Sequence, residues 1–191
     1  MEKRKTPNYQ VIGFDTETYL GNDRRHHFLS FQVYSEDTKI AKVLGRKEPV
    51  YDEKGVFKGD RYVLSWISYR KEDFLRLFRH SLRNAVFFTF NLDFDIAVVA
   101  EIIKPLIEEG RASLKVFNTN GRTISAKLTF QKSTIRFLDL RNIFMTRSLA
   151  KLGKIVGVEK LQKPPLLGSK QLKELIGLFP TFCNGIVRPL N

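Results

Sequence analysis

The apolar run Val11–Phe14 ends at Asp15 and Glu17, and residues 9–16 read as a buried strand. FLSFQVYS (28–35) and TKIAKVLG (38–45) read as two further strands joined by a short EDT loop, with Ile40, Lys42 and Leu44 alternating against Ala41 and Val43. Gly45, Pro49, Gly55 and Gly59, set among many charges, predict a loop or projecting hairpin at 45–62. A helix is expected over 71–84, with Phe74, Leu75, Phe78 and Leu82 on one face and Arg76, Arg79, His80 and Arg83 on the other. The unbroken AVFFTF (85–90) suits a strand in the middle of a covered sheet. Over 94–109, Ile96, Val99, Ala100, Ile103 and Ile107 form the stripe of a helix that Pro105 should kink. Asn120-Gly121 predicts a turn, then a strand in which Ile124, Ala126, Leu128 and Phe130 alternate with polar residues. TIRFLDL (134–140) is a further strand, and helices are expected over 147–156 and 169–178, separated by the breaker-rich QKPPLLGSK. The layout is mixed α/β, one domain over 1–191 with an atypical C-terminal tail from about 163.

Length and composition fit that layout: 191 residues suffice for one sizeable core, and 42% are hydrophobic. Charge adds a partner class. Thirty-three Lys and Arg against 20 Asp and Glu leave a net charge of +13, which favours a polyanion, nucleic acid first and an acidic membrane surface second. From Arg141 onward there are nine Lys or Arg and two Glu. The lone Cys183 allows no internal disulfide and fits a reducing, cytoplasmic setting. MEKRKTPNYQ is not followed by the apolar region of a signal peptide, and Asn91, Asp93 and Asp95 interrupt the longest apolar stretch, so no membrane association is expected. There is no phosphate-loop motif, C-x-x-C, H-E-x-x-H or G-x-S-x-G, which removes P-loop, zinc and serine-hydrolase chemistry.

The candidate chemistry lies where strands end in acids. Asp15 and Glu17 alternate along a strand, project from the same side, and sit at its C-terminal end, where open α/β sheets bind ligands. Two such carboxylates repel unless a cation lies between them, and oxygen donors suit Mg²⁺ or Mn²⁺. A pair of solvated acids is the bland alternative. FFTFNLDFDIAVV repeats the design: a buried strand, then Asn91, Asp93 and Asp95 before a helix. Asp95 in the first turn also suits the helix dipole, while Asp93, His26 and His27 read as solvated surface positions.

GFDTET and FNLDFD together resemble the first two exonuclease motifs of family B DNA polymerases, especially the protein-primed type, within the DEDD superfamily of 3′–5′ exonucleases. FLDLRNIFMTRSLAKLGKIVGVEK is similar to that family's D-S-L strand and the helix after it, with Leu140 in the serine position. The resemblance spans roughly residues 9–160. It implies an RNase H-like mixed β-sheet flanked by helices, and two divalent ions held by Asp15, Glu17 and Asp95. These ions would clamp an in-line phosphodiester displacement that releases 5′-mononucleotides from single-stranded DNA ends. It also implies nucleic-acid contacts by Thr18, Asn91, Leu92, Phe94 and Ser148, and a polymerase or replication partner.

The superfamily's fourth carboxylate has no counterpart here. After Asp139 the only acids are Glu159 and Glu174, and every Tyr and His lies at or before His80. Three explanations stand: a chain that stops short of the motif, Glu174 as an improvised ligand, or lost catalysis with binding retained. Asp139 could reach the ion cluster or serve the backbone around it. The expectations are therefore an exonuclease of reduced activity that prefers Mn²⁺, or a catalytically degenerate nucleic-acid-binding relative. An interaction domain for an acidic protein is a third reading.

Overall fold

A computed structural model describes residues 9–79, 85–131, 133–146 and 148–157. The helix expected over 169–178, the tail from 163, Glu174, His80 and Arg83 lie outside them. Among the described residues eight strands form one mixed sheet in the order β3-β4-β2-β1-β5-β8-β7-β6. They are β1 (Gln10–Leu20), β2 (His26–Glu36), β3 (Arg46–Tyr51), β4 (Phe57–Ser68), β5 (Ala85–Thr89), β6 (Ala112–Thr119), β7 (Arg122–Phe130) and β8 (Ser133–Asp139). The helices are α1 (Lys39–Leu44), α2 (Lys71–Arg79), α3 (Leu92–Glu108), α4 (Leu140–Phe144) and α5 (Leu149–Val156). β1 runs parallel to β5, and β5 parallel to β8; every other pairing is antiparallel.

Strand parity separates a core face from an outer face. Ile12, Phe14 and Thr16 on β1, Phe87 and Thr89 on β5, and Ile135 and Phe137 on β8 are buried together. Four rings tie the middle: Phe14 lies 5.3 Å from Phe87, 5.7 Å from Phe137 and 5.8 Å from Phe74 of α2, centroid to centroid. Such tilted and edge-on pairs add to the burial of the rings themselves. α3 packs over β1, β6, β7 and β8 through Leu92, Ile96, Val99, Ile103 and Leu106. This stripe differs from the expected one at three positions: Ile107 is exposed, Ala100 is only half-buried, and Asp95 lies on the buried side. The helix continues through Pro105 and closes where the N–H of Glu109 donates to the Pro105 carbonyl at 3.0 Å.

The strand expected at 38–45 is instead helix α1. Asp37 takes a positive φ of 50° and accepts a hydrogen bond from the Tyr62 N–H. Thr38 then caps the helix through its hydroxyl, which accepts from the Ala41 N–H at 3.2 Å. Ile40 and Ala41, adjacent in sequence, are both buried, which a strand of alternating faces does not permit. The 45–62 segment forms the β3–β4 hairpin, whose turn is held by the Asp52 carboxylate accepting from the N–H groups of Lys54 and Val56. β6 and the first half of β7 carry no clean alternation. A bulge after Phe117 leaves Ile124 exposed and Thr123 buried, reversing the expected order there. His26 and His27 open β2 rather than sitting in a loop. Among the described residues no helix is long and apolar enough to cross a membrane.

Gly45 ends α1 where a Cβ would meet the Val63 carbonyl oxygen at 2.4 Å and the Ala41 carbonyl oxygen at 2.5 Å. Both obstacles are backbone, so neither can swing away. Gly45→Ala is expected to cost about 1–3 kcal/mol, read as a lower urea midpoint with an unchanged m-value.

Candidate functional site

β5 stops pairing with β1 at Phe88 and Gly13, so the second half of β1 runs beyond it. The chain leaves β5 and turns at Asn91, whose φ of 79° and ψ of 60° place it in the left-handed region that Asn tolerates better than most residues. α3 starts at once. Its first turn brings Asp95 against the uncovered edge of β1. There Asp95 Oδ1 accepts from the Thr16 N–H at 2.9 Å and from the Thr16 hydroxyl at 2.7 Å. Thr16 lies between Asp15 and Glu17, so the two acidic motifs meet across 79 positions of sequence.

The surroundings make Asp95 an unusual acid. It is 1% exposed. Burial pushes its pKa up and the Asp15 charge adds to that; the Thr16 hydrogen bonds pull the other way, and the balance is about 7. The Thr89 hydroxyl also favours the ionised form, although it forms no hydrogen bond of good geometry. Asp15 leaves β1 on the outer face, exposed, with the Gln32 amide 3.4 Å from its Oδ2. Glu17 follows on the same face, half-buried, just before a bulge that pairs Thr18 with Phe28.

The structure therefore joins Asp95 to Thr16 on the core face of β1, while Asp15 and Glu17 flank Thr16 on the outer face and the Asp15 charge is felt at Asp95. Among the described residues no three His, Cys, Asp or Glu side chains are arranged to hold a metal ion. The donor chemistry of Asp15 and Asp95 nevertheless fits a hard divalent cation: two carboxylates, one desolvated, that repel each other. Beside them, the Thr18 hydroxyl lies 3.0 Å from His26 Nδ1, and the His26 ring stands edge-on to Phe94 at 6.2 Å and 87°. Thr18, His26 and Phe94 form one corner next to the acids.

Other candidates have different roles. Asp139 is saturated. Its Oδ1 accepts from the N–H groups of Asn91 (3.4 Å) and Arg141 (2.8 Å), and its Oδ2 from the Leu92 N–H (3.1 Å) and from Arg141 Nε (2.9 Å) and Nη2 (2.7 Å). Five donors leave no room for a cation. Burial alone would raise its pKa, but the Arg141 and backbone bonds outweigh it and hold the group below the usual carboxylate range. Asp93 is not merely solvated: it accepts from the Thr123 N–H at 2.8 Å and pairs with Arg141 at 3.1 Å. Leu92 is wholly buried, so a nucleic-acid contact is closed to it. Ser148 caps α5, its hydroxyl accepting from the Lys151 N–H at 3.4 Å.

Comparison with protein-family models and with curated protein sequences finds no match. Thr16, Arg141 and the placement of His26 escaped the sequence reading. Thr16 had a usable signal: alternation puts it on the buried face with Ile12 and Phe14, and a buried hydroxyl needs a partner.

Two outcomes follow. Asp95 binds its proton more tightly in the folded than in the unfolded chain, so its contribution to stability is full below about pH 4 and is lost as pH rises through about 7, by on the order of 4 kcal/mol. Across pH 5 to 8 the urea midpoint of Asp95→Asn should fall less than that of the wild type. Asp139→Ala leaves the Arg141 guanidinium and three backbone N–H groups without their acceptor and should cost about 3–5 kcal/mol by urea unfolding.

Proposed function

We propose that this chain is a metal-dependent 3′–5′ exonuclease-type domain of RNase H-like architecture, acting on single-stranded DNA ends. The reading includes a cytoplasmic setting and a polymerase or replication partner. The observation that carries it is the bonding of Asp95, from the second motif, to Thr16 inside the first, under the charge of Asp15. The mixed sheet supports the architecture, with β1, β5 and β8 parallel at its centre and the acids near the C-terminal ends of β1 and β5.

Asp15 and Asp95 would hold a divalent cation, with Glu17 beside them. Such a cation activates water and neutralises charge on the phosphoryl oxygens. Thr16 fixes one Asp95 oxygen, so a cation would be met by the other. Burial keeps water from screening that carboxylate, which strengthens its pull on a positive charge. Thr18 and Phe94 border the place where a terminal nucleotide would sit, Phe94 offering a ring to a base.

A catalytically degenerate nucleic-acid binder is the second reading. It is favoured by the full engagement of Asp139 and by the absence of a three-carboxylate set among the described residues. One assay separates the two. End-labelled single-stranded DNA is incubated with the chain in Mn²⁺, in Mg²⁺ and in EDTA, beside Asp15→Ala and Asp95→Asn. The enzyme reading expects stepwise shortening from the 3′ end, faster in Mn²⁺, reduced to the EDTA level in both variants. Salt-sensitive binding without shortening supports the binder, and no interaction with DNA or RNA rejects both.

A further inference from the structure

The sheet register lines up three cations on the face away from the core. Lys115 of β6 pairs with Lys127 of β7, and Lys127 pairs with Arg136 of β8. All three are exposed, Lys127 lying between buried Ala126 and Leu128, and Arg136 between buried Ile135 and Phe137. Neighbouring strands are about 4.8 Å apart, so the row spans roughly 10 Å. Like charges directly opposite one another weaken a sheet. Among the described residues none of the three joins an ion pair.

The flanking rows bear on the partner. On one side, Ser113, Thr129 and Thr134 form a row of hydroxyls. On the other, Phe117, 55% exposed, aligns with Ser125 and Leu138. The Arg136 guanidinium lies 6.0 Å from the ring centroid of exposed Tyr9.

We infer that this outer face of β6, β7 and β8 binds a single nucleic-acid strand through its phosphates. The cation row neutralises phosphate charge, which relieves the repulsion that the row itself carries. The hydroxyl row donates to phosphate oxygens, and Phe117 and Tyr9 offer rings to unstacked bases. A lipid surface fits less well, because Ser125 interrupts the apolar row and hydroxyls border the cations. Asp15 and Glu17 project from the same outer face on β1, two strands from β8, so a strand held here lies on the side that presents the acids. The inference rests on the nucleic-acid reading of the site and not on hydrolysis.

The test reads binding in EDTA, by fluorescence anisotropy of a labelled oligodeoxythymidylate on the full chain. The triple variant Lys115→Gln, Lys127→Gln, Arg136→Gln is expected to bind at least tenfold more weakly at low salt. Its log–log salt slope should shrink by about 2, because each lost phosphate contact on a single strand removes about 0.7. Its thermal midpoint should hold or rise, since repulsion is removed. Lys127→Gln alone, the milder change, should show a smaller shift in the same direction. Lys104→Gln, which removes an exposed cation of α3 rather than of this face, should bind as the wild type does. Wild-type affinity and slope in a folded triple variant would overturn the inference. So would tighter binding to phosphatidylserine vesicles than to the oligonucleotide, if the same three cations govern it.

Discussion

One buried carboxylate organises this molecule. Asp95 occupies a position in the apolar stripe of α3 where Leu92, Ile96 and Val99 face the sheet. A charge there is costly unless it is hydrogen-bonded. The partner is the Thr16 backbone and hydroxyl, and Thr16 is available because β5 has ended and left the edge of β1 uncovered. The crossover from β5 to α3, the left-handed turn at Asn91 and the early end of β5 are thus parts of one arrangement. Together they bring a helix terminus to the strand that carries Asp15 and Glu17.

A second polar knot holds the same junction from the other side. Asp139 closes β8 and draws in the first N–H groups of α3, while Arg141 bridges it to Asp93 and the β7 backbone follows through Thr123. These bonds satisfy donors that a helix start leaves open. The two aspartates differ sharply in character although each lies at a strand or helix end. Asp139 meets a guanidinium that holds its pKa below the usual carboxylate range; Asp95 is desolvated and bonded only to neutral groups, and its pKa is pushed up to about 7. Environment rather than residue type separates the structural acid from the candidate site.

Much of the sheet was legible because its central strands are apolar on both sides or alternate cleanly, as AVFFT and STIRFLD do. Asp15 and Asp95 stood out because each interrupts such a pattern. α1 was misread because six residues hold too few turns to reveal their period, and the deciding features are a threonine cap and the left-handed Asp37. β6 was missed because it lies at the sheet edge with mostly exposed residues, so burial imposed little pattern on it. The partner of Asp95 and the five-donor shell of Asp139 depend on contacts between distant segments, which local periodicity does not encode.

The choice of aspartate at 95 is itself an argument. If the position only tied α3 to β1, asparagine would serve: its side-chain carbonyl accepts both Thr16 bonds and brings no ionisable group into the core. Aspartate adds a penalty that grows with pH and is sharpened by Asp15. Proteins carry such local inconsistencies chiefly where the group does something a neutral isostere cannot. On the proposed reading, a carboxylate that releases its proton near neutrality, close to a second acid, can take up a cation in exchange, and the repulsion between the two acids becomes attraction toward the ion. The same trade would operate on the outer face, where the aligned Lys115, Lys127 and Arg136 repel one another alone and would be favourable against phosphate. On the proposed reading, the acids at the strand ends and the cations across β6, β7 and β8 would have one physical explanation: each would be this chain's half of an ionic contact.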